Sequence, residues 1–365
     1  MKTVFFGGAF DPFHSQHRAL IETVLKEGKA DRVVVYPSFL PPHKSKLQSP
    51  FEARLRMVQK GTEDLGRVFV DRIEQERNKV NYSYEVIPLL KAKYPSDEYG
   101  FLMGEDSLLH FGNWVRPDLI ARQIKLIVGA RGEAGNLDRI IQSVEQKFNA
   151  QIEVLEFCGK PVSSSEIKAR TELGLTQEDI IPEVEKIIKE NNLYKQFPEI
   201  VEKVRNTIPA KTFDHVCRTV LFALKLNTYL NIPYEKVFLA TFLHDCTKHL
   251  NVKMEGVPDA VVHQYTGCTE AEEIYGVKDK DVLSAIRCHT TGKPNMSKLD
   301  KLVYCSDLLE MGRDFPGVAK LRKVIENDFE AGFLACLKNC YEHVIFSGKP
   351  FDPLTKECAL YYNII

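Results

Sequence analysis

Over the first 160 residues, short apolar runs rich in β-branched residues alternate with longer stretches of helical periodicity. The runs with the length and composition of buried strands are residues 3–6, 32–36, 68–70, 99–103, 125–128 and 152–155. The helical stretches between them include residues 17–26, 51–61 and 84–93. This alternation predicts a Rossmann-like α/β domain, in which a parallel sheet carries helices on both faces. Its ligand is expected beyond the carboxyl ends of the strands.

The pattern changes after about residue 191, and from residue 199 onward no run reads as a convincing strand. Helical periodicity dominates there, for example over residues 216–230 and 236–243. A chain of 365 residues also suits two domains better than one. We therefore predict an α/β domain over residues 1–195 and an all-α domain over residues 199–365.

Composition narrows the class of protein without identifying it. Hydrophobic residues make up 44% of the chain and charged residues 27%, which is typical of globular proteins. A net charge of −1 gives no basic field for nucleic acid. No apolar run is long enough for a bilayer, and the first residues lack a signal-peptide layout. The nine cysteines include no CxxC pair, so we expect reduced thiols and a cytoplasmic protein.

Two glycines, Gly7 and Gly8, follow the first predicted strand, and a helix begins within ten residues. Glycines at this point let the backbone approach a phosphate closely, and the helix N-terminus attracts an anion. His14 and His17 are three residues apart at the helix start, so they share a face and can donate hydrogen bonds to phosphoryl oxygens. Each feature alone is common in proteins, but their combination in one stretch indicates function.

The segment 7–17, GGAFDPFHSQH, resembles the GGxFDPxHxGH signature of the nucleotidyltransferase superfamily, and more closely the nicotinate-mononucleotide adenylyltransferases. Similar segments follow in the same order, at residues 41–44, 51–57, 104–116, 163–168 and 182–194. The resemblance covers about residues 1–195. It implies transfer of the adenylyl group of ATP to nicotinate mononucleotide, with release of pyrophosphate. The attacking phosphate is already ionised near neutral pH, so positioning and charge neutralisation suffice for catalysis.

The same resemblance implies roles for individual residues. His14 and His17 are expected at the reacting phosphoryl group, Lys44 at the triphosphate, and Mg²⁺ between triphosphate oxygens. Contacts to ATP are expected from Gly7, Gly8, Ala9, Phe10, Gly104, Asp106, Ser163, Ser164, Ser165 and Lys168. Contacts to the nicotinate nucleotide are expected from Ser83, Tyr84, Glu85, Trp114 and Arg131, with Trp114 stacked on the pyridine ring unless it is a core residue.

Three departures from the family pattern bear on the substrate. Gln16 replaces a glycine, and Ser165 and Lys168 replace Thr and Arg, which removes a bidentate guanidinium. Glu85 adds a carboxylate that could repel the carboxylate of nicotinate. Preference for the acid or the amide nucleotide therefore stays open from sequence.

The second domain carries an ordered set of metal-ligand residue types. His244 and Asp245 close an apolar helix, and the other members of the set are His215, His263, His289 and Asp307. Each histidine alone is more often structural, but the ordered set is a stronger signal. Histidine nitrogens with carboxylate oxygens suit iron, manganese or a similar ion. Six ligands would suffice for two metals that share Asp245 and together activate a water molecule.

This ordered set resembles the HD phosphohydrolase superfamily, with Lys248 at the HDxxK spacing. Residues 285–294, AIRCHTTGKP, are similar to a segment of the bacterial symmetrical diadenosine-tetraphosphate hydrolases. The resemblance covers about residues 199–350 and implies hydrolysis of diadenosine tetraphosphate to two ADP. It implies catalytic roles for Asp245 and Lys248, and phosphate contacts from Arg287, Thr290, Arg313 and Arg322.

The leading hypothesis is thus a bifunctional enzyme whose partners are ATP, nicotinate mononucleotide and diadenosine tetraphosphate, with no nucleic acid and no membrane. A homodimer remains open. One alternative keeps both chemistries but changes the substrates of either domain. Another makes one domain a nucleotide sensor. A third, a nucleic-acid-directed HD nuclease, is disfavoured by the near-neutral charge.

Overall fold

The computed structural model describes residues 1–40, 49–130, 134–157, 159, 162–177, 179–228, 230–348 and 350–365. The chain forms two compact units. The first comprises Met1–Lys168 and Thr176–Lys195, and the second comprises Ala169–Leu175 and Gln196–Ile365. Among the described residues, no helix is both long and apolar enough to span a bilayer.

The first unit is built on a six-stranded sheet in which every neighbouring pair of strands is parallel. The strands are β1 Lys2–Gly8, β2 Arg32–Pro37, β3 Val68–Val70, β4 Glu98–Gly104, β5 Lys125–Gly129 and β6 Ile152–Leu155. Their order in the sheet is β3-β2-β1-β4-β5-β6. All six predicted strands are confirmed, and β1, β4 and β5 extend to the glycines that follow the apolar runs.

Nine helices connect these strands or follow them in the described part of this region. They are α1 Ser15–Lys26, α2 Phe51–Thr62, α3 Ile73–Glu76, α4 Ser83–Lys93, α5 Glu105–Leu109, α6 Pro117–Gln123, α7 Ala134–Phe148, α8 Ser164–Leu173 and α9 Pro182–Glu190. The three predicted helices are confirmed as α1, α2 and α4, with ends that differ by one or two residues. Residues of α8 from Ala169 onward belong to the second unit.

Both faces of the sheet are buried, as expected for a parallel sheet. Alternate side chains of β1 point to opposite faces, so Val4 and Phe6 join one apolar cluster and Phe5 joins the other. The first cluster includes Ile21 of α1, and the second includes Leu90 of α4. The sheet is thus sandwiched between two helical layers.

The strand order reverses between β1 and β4, which lie side by side at the centre of the sheet. The connections that leave these two strands run in opposite directions, so a crevice opens at their carboxyl ends. Gly7, Gly8 and Gly104 occupy this position, as the sequence predicts.

The second unit is helical, and the part of it that the structure describes contains one isolated bridge, Met254 with Val257, and no strand. Its further helices are α10 Pro198–Thr207, α11 Ala210–Asn227, α12 Tyr234–Leu243, α13 Val262–Glu273, α14 Lys280–Cys288, α15 Lys298–Leu309, α16 Val318–Asn327, α17 Phe329–Ser347 and α18 Pro353–Tyr361. The all-α class is confirmed. Helix α11 begins six residues earlier than the predicted helix at 216–230, and α12 begins two residues earlier than predicted.

Helices α16 and α17 approach closely at Gly332. A Cβ atom built on Gly332 would lie 2.3 Å from Cα of Ile325, which is a backbone atom that cannot rotate away. In contrast, a Cβ atom on Gly267 of α13 would meet its nearest neighbour at 3.4 Å. The two helical glycines therefore differ in the space around them.

We expect Gly332→Ala to destabilise the protein by about 1–3 kcal/mol, although alanine favours helices, because the added methyl overpacks this contact. Gly267→Ala is the matched control and should be neutral or stabilising. Thermal unfolding followed by far-ultraviolet circular dichroism compares the two variants. An unchanged midpoint for Gly332→Ala would contradict the close approach of α16 and α17.

Candidate functional site

A cavity of about 350 Å³ lies at the carboxyl ends of β1 and β4. Ten of the predicted nucleotide-binding or catalytic residues line it: Gly7, Gly8, Ala9, Phe10, His17, Ser83, Gly104, Asp106, Trp114 and Ser164. These residues come from widely separated segments of the first unit. Their convergence places the expected ligand site at the switch point of the sheet.

The two glycines that end β1 are required by the packing around them as well as by the predicted approach of phosphate. A Cβ atom on Gly7 would come within 2.5 Å of the Tyr36 ring, and one on Gly8 would lie 3.0 Å from the Phe10 ring. A side chain at Gly7 would therefore displace Tyr36. The backbone of this turn stays open to the cavity because neighbouring aromatic rings fill the space behind it.

The histidine pair is ordered by the start of α1. His14 is the residue before the helix, and its backbone N–H donates to Nδ1 of His17 at 3.3 Å. The two rings stack with centroids 3.7 Å apart. Because Nδ1 of His17 accepts this hydrogen bond, a neutral His17 carries its proton on Nε2. His17 lines the cavity, whereas His14 is buried and is not among the described residues that line it.

Behind the turn, Asp11 forms a buried ionic centre. Its carboxylate accepts hydrogen bonds from Lys168 Nζ at 2.7 Å, from the Tyr194 hydroxyl at 2.9 Å and from the Ser49 hydroxyl. Burial alone would raise the pKa of Asp11, but the charge of Lys168 and these hydrogen bonds outweigh burial and lower it. The structure thus places Lys168, predicted to bind ATP, on a buried carboxylate. Lys168 has a stabilising partner here, and its contact with phosphate stays a prediction.

Arg54 is a further residue of this centre that the sequence did not single out. It is 1% exposed, and its Nη1 donates to the carbonyl oxygen of Ala9 at 2.7 Å. It therefore fixes the turn that faces the cavity. A lone arginine in an amphipathic helix gives no sequence signal for burial.

The serine hydroxyl groups at the start of α8 bond to nearby backbone groups. The Ser163 hydroxyl accepts the backbone N–H of Glu166 at 3.1 Å, and the Ser164 hydroxyl donates to the carbonyl oxygen of Pro12 at 3.4 Å. Of the three predicted serines, Ser164 is the one among the described lining residues. Contacts of Ser163 and Ser165 with ATP stay predictions.

The three residues at positions 83–85 that are predicted to contact the nicotinate nucleotide lie in different places. Asn81, Tyr82 and Ser83 line the cavity, whereas Tyr84 and Glu85 are not among its described lining residues. Glu85 instead lies 2.6 Å from Arg77 and 3.3 Å from Lys79. Contacts of Tyr84 and Glu85 with the nicotinate nucleotide stay predictions.

Trp114 is half-buried and lines the cavity. Its ring packs edge-on against Phe101, with centroids 5.9 Å apart, and tilts against Phe111 at 5.5 Å. It therefore joins the core and also borders the cavity, so the two interpretations from sequence are compatible.

Glu74 is a cavity residue that the sequence analysis missed. It is buried, and its carboxylate accepts the backbone N–H of Phe39 at 2.9 Å. Burial raises its pKa to about 7. Its position shortly after β3 is the signal that could have found it, because the carboxyl ends of parallel strands share one edge.

Gln16, which replaces a family glycine, is buried and is not among the described lining residues. Its Oε1 would lie 3.3 Å from a Cβ atom on Gly159, so the side chain packs toward that glycine. Lys44 and Arg131 lie outside the described residues, and their roles stay predictions.

In the second unit, the six predicted metal ligands come together from five helical segments. They form two groups of ligand atoms, each within 4.8 Å of one another: His215, His244, Asp245 and Asp307 in one, and Asp245, His263 and His289 in the other. We call these the four-ligand and three-ligand subsites.

Asp245 is common to both subsites, and its two oxygens face different groups. Oδ2 lies 3.6 Å from Nε2 of both His215 and His244. Oδ1 lies 3.3 Å from Nε2 of His263 and 3.4 Å from Nε2 of His289. Each oxygen of Asp245 therefore faces a different subsite.

The histidine rings are oriented by their second nitrogen atoms. Nδ1 of His244 lies 2.7 Å from the Thr241 carbonyl oxygen, and Nδ1 of His289 lies 2.8 Å from the Ile286 carbonyl oxygen. Because a carbonyl only accepts, each Nδ1 carries the proton and each Nε2 presents a lone pair to the cluster.

Electrostatics also fit a divalent cation. Burial would raise the pKa of Asp307, but the neighbouring side chains of His215, His244 and Lys248 hold it well below its usual range. Desolvation lowers the pKa of His263 to about 3, so this ring is neutral near pH 7. Ionised carboxylates and neutral imidazoles are the forms that bind metals. The residues therefore fit the divalent metal that an HD domain implies.

The predicted phosphate contacts of this unit fall into different places. Lys248 Nζ donates to Asp245 at 2.6 Å, and Arg313 donates to Asp307, so both lie at the cluster. The Thr290 hydroxyl lies 3.2 Å from Nε2 of His263. Arg287 instead stacks on the Tyr265 ring at 5.1 Å, away from the ligand atoms of its helix.

Arg322 bonds to backbone rather than to the cluster. Its Nε donates to the Leu309 carbonyl oxygen, and its Nη2 donates to those of Glu310 and Arg313. It thus holds the turn after α15, and a phosphate contact for Arg322 stays a prediction that this geometry does not support.

Gln264, which the sequence analysis missed, also positions ligands. It is fully buried beside His263, and its Oε1 accepts the backbone N–H groups of Thr290 and Thr291, each at 3.2 Å. It therefore joins α13 to the turn after His289. Its position next to His263 in sequence is the signal that could have identified it.

Comparison with known proteins finds two different families in two successive parts of the chain. The chain matches the family described as Cytidylyltransferase-like over residues 5–170 and the HD domain family over residues 212–312. The "Probable nicotinate-nucleotide adenylyltransferase/Ap4A hydrolase" of Mycoplasma genitalium is 25% identical over 356 residues, covering 92% of this chain and 97% of the relative.

Two further matches each cover about half of the chain. The "Probable nicotinate-nucleotide adenylyltransferase" of Geobacter sulfurreducens is 33% identical over 213 residues, which are 53% of this chain and 98% of the relative. A crystal structure of a predicted HD superfamily hydrolase involved in NAD metabolism, from Clostridium acetobutylicum, is 29% identical, with a TM-score of 0.42. It covers 46% of this chain and 97% of that chain.

The ionic centre at Asp11 makes a stability prediction. Lys168→Met should destabilise the first unit by about 3–5 kcal/mol, because it leaves a buried carboxylate without its cation. Urea unfolding followed by the fluorescence of Trp114, the one tryptophan of the chain, reports on this unit. Since the pKa of Asp11 is lowered on folding, the stabilisation holds above its ordinary pKa and is lost as pH falls through the lowered value.

The matched control is Lys186→Met. Lys186 is 76% exposed and pairs with Glu190 at 3.8 Å, so its loss should change stability by less than about 0.5 kcal/mol. Equal midpoints for the two variants would contradict the role assigned to Lys168.

Proposed function

We propose that this chain, which belongs through its N-terminal half to the nicotinate-nucleotide adenylyltransferase family and carries an HD domain after it, is a bifunctional enzyme. The first unit would transfer AMP from ATP to nicotinate mononucleotide, and the second would hydrolyse diadenosine tetraphosphate to two ADP. The observation that carries the proposal is the convergence of predicted residues at two sites, one in each unit.

In the first unit, the chemistry needs a phosphate nucleophile held in line with the α-phosphoryl group of ATP. The attacking oxygen is ionised near neutral pH, so no strong general base is required. Nε2–H of His17 can donate to a phosphoryl oxygen as charge develops there. The N-terminus of α1 adds the positive end of a helix dipole on the same side. Mg²⁺ is expected to accompany the triphosphate.

The first unit's geometry supports the acid as the preferred nucleotide. Tyr82 precedes α4 and Ser83 begins it, and both line the cavity, so the positive end of this helix faces the expected pyridine site. Glu85, the residue that could repel nicotinate, is paired with Arg77 and Lys79. Its charge is therefore compensated.

In the second unit, the four-ligand and three-ligand subsites would hold two divalent metal ions, for which we propose iron or manganese from the mixed nitrogen and oxygen donors. Such ions supply Lewis acidity that activates water and neutralises phosphate oxygens. Lys248 and Arg313 lie at the same cluster and can contact a phosphate group. The eight cysteines described in this unit are free thiols, which supports a reducing, cytoplasmic location.

The first assay supplies purified full-length protein with ATP, Mg²⁺ and nicotinate mononucleotide, and follows pyrophosphate release. His17→Ala should lower the rate by about 100-fold or more, because it removes a donor to the phosphoryl group. His110→Ala is the matched control, since His110 is not among the described residues of the cavity. Release with the amide nucleotide but not the acid would overturn the proposed preference.

The second assay follows cleavage of diadenosine tetraphosphate with added Fe²⁺ or Mn²⁺. Asp245→Asn should abolish cleavage, because one carboxylate serves both subsites, while adenylyl transfer persists. The exposed His343 provides the control substitution His343→Ala. Full hydrolysis by Asp245→Asn would contradict the proposed site, and its absence in unsubstituted, metal-loaded protein would favour another polyphosphate substrate or a sensor role.

A further inference from the structure

A buried carboxylate, Glu310, lies behind the four-ligand subsite and is not one of its ligands. It is 1% exposed and is the residue directly after α15, three positions beyond Asp307. Its Oε1 lies 3.1 Å from Nδ1 of His215. Its Oε2 accepts hydrogen bonds from Arg218 Nε at 2.6 Å and from the backbone N–H of Gly312 at 2.5 Å.

These contacts join two helices that supply ligands. His215 and Arg218 are three residues apart on α11, so they share a face, and Glu310 reaches both of them from the end of α15. Glu310 pairs with the guanidinium of Arg218, and a carboxylate oxygen accepts, so the proton of the bond to His215 lies on Nδ1. Nε2 of His215 then presents its lone pair to the cluster, where it lies 2.9 Å from Oδ1 of Asp307.

His215 differs in this respect from His244 and His289. Those two rings donate Nδ1–H to neutral backbone carbonyls. A carboxylate acceptor makes a stronger, charge-assisted hydrogen bond and raises the basicity of the ring nitrogen that faces the metal. The four-ligand subsite therefore contains a histidine that is held by a charged group, Glu310. In the three-ligand subsite, the contact described for Nδ1 of His289 is to a neutral carbonyl oxygen.

Glu310 is itself held in place by neighbouring residues. Arg218 is packed over Gly312, where an added Cβ atom would lie 2.4 Å from its Nε. Arg322 binds the carbonyl oxygens on either side of this turn. These contacts restrict where the Glu310 carboxylate can go.

We propose that Glu310, fixed by Arg218, is a positioning residue that orients His215 and sets the metal affinity of the four-ligand subsite. This inference rests on the proposed metal site of the HD unit. It gives a function to a buried acid that binds neither metal nor substrate.

The test measures Mn²⁺ affinity of the full-length, metal-free protein, by electron paramagnetic resonance of the unbound ion. Glu310→Gln keeps the shape of the side chain but loses its charge, so one of the two binding steps, that of the four-ligand subsite, should weaken about 10- to 100-fold. Binding at the three-ligand subsite should change far less. Gly312→Ala, which displaces Arg218 but leaves the Glu310 carboxylate, should give a smaller loss in the same direction.

The matched control is Glu326→Gln, which neutralises an exposed acid of the same unit that pairs with Lys225 at 2.7 Å. It should leave Mn²⁺ affinity unchanged. If Glu310→Gln lowers only the unfolding temperature and binds Mn²⁺ as tightly as the unsubstituted protein, Glu310 is merely structural and the inference fails. If the unsubstituted protein binds no Mn²⁺, the proposed metal site fails instead.

Discussion

Among the aspartates that each unit buries, Asp11 in the first and Asp245 in the second lie at the predicted sites. An ionised carboxylate taken out of water must be surrounded by cations or hydrogen-bond donors. Asp11 meets this requirement with Ser49, Lys168 and Tyr194, which are 38, 157 and 183 residues away in sequence. The requirement thus ties the turn after β1 to the start of α8 and to the last residues of the first unit. The turn that faces the cavity is fixed from behind by this centre.

Asp245 meets the requirement at one oxygen, where Oδ2 accepts a hydrogen bond from Lys248, whereas Oδ1 has no hydrogen-bond partner among the described residues. It is fully buried, and the atoms around it are the Nε2 atoms of four histidines and the ammonium of Lys248. Removing Asp245 from water is costly for the fold, and the same burial concentrates ligand atoms within a few ångströms. Burying so many polar groups together lowers the stability of the fold. The residues that support the site are themselves buried and polar.

The fold could be predicted because its signal is local. Parallel strands buried on both faces read as continuous β-branched runs, and glycines mark their ends, so six strands and the change to an all-α region followed from the sequence. The six candidate metal ligands could also be predicted as a set, and the structure brings their ligand atoms together. Their grouping into two subsites that share Asp245 needed the structure.

What the sequence could not supply were the partners of single charged residues. Lys168 and Arg322 look like solvent-exposed phosphate contacts. In the structure Lys168 donates to a carboxylate 157 residues away, and Arg322 donates to three carbonyl oxygens 9 to 13 residues away. Arg54 and Glu310 are buried, but a single charged residue in a helical pattern is normally predicted to be exposed. For residues 83–85 the sequence does not tell which side chains face the cavity, and the structure places Ser83 in its lining.

The histidines of the two units show how one side chain acquires opposite roles. In the first unit, Nδ1 of His17 accepts a backbone N–H, so the neutral ring has its proton on Nε2 and can donate to a phosphoryl oxygen. In the second, Nδ1 of His215 and His244 donates to oxygen, so Nε2 offers a lone pair to a cation. The sequence identifies the ring in each case, but the atom bonded to its far side decides whether it donates a proton or binds a metal.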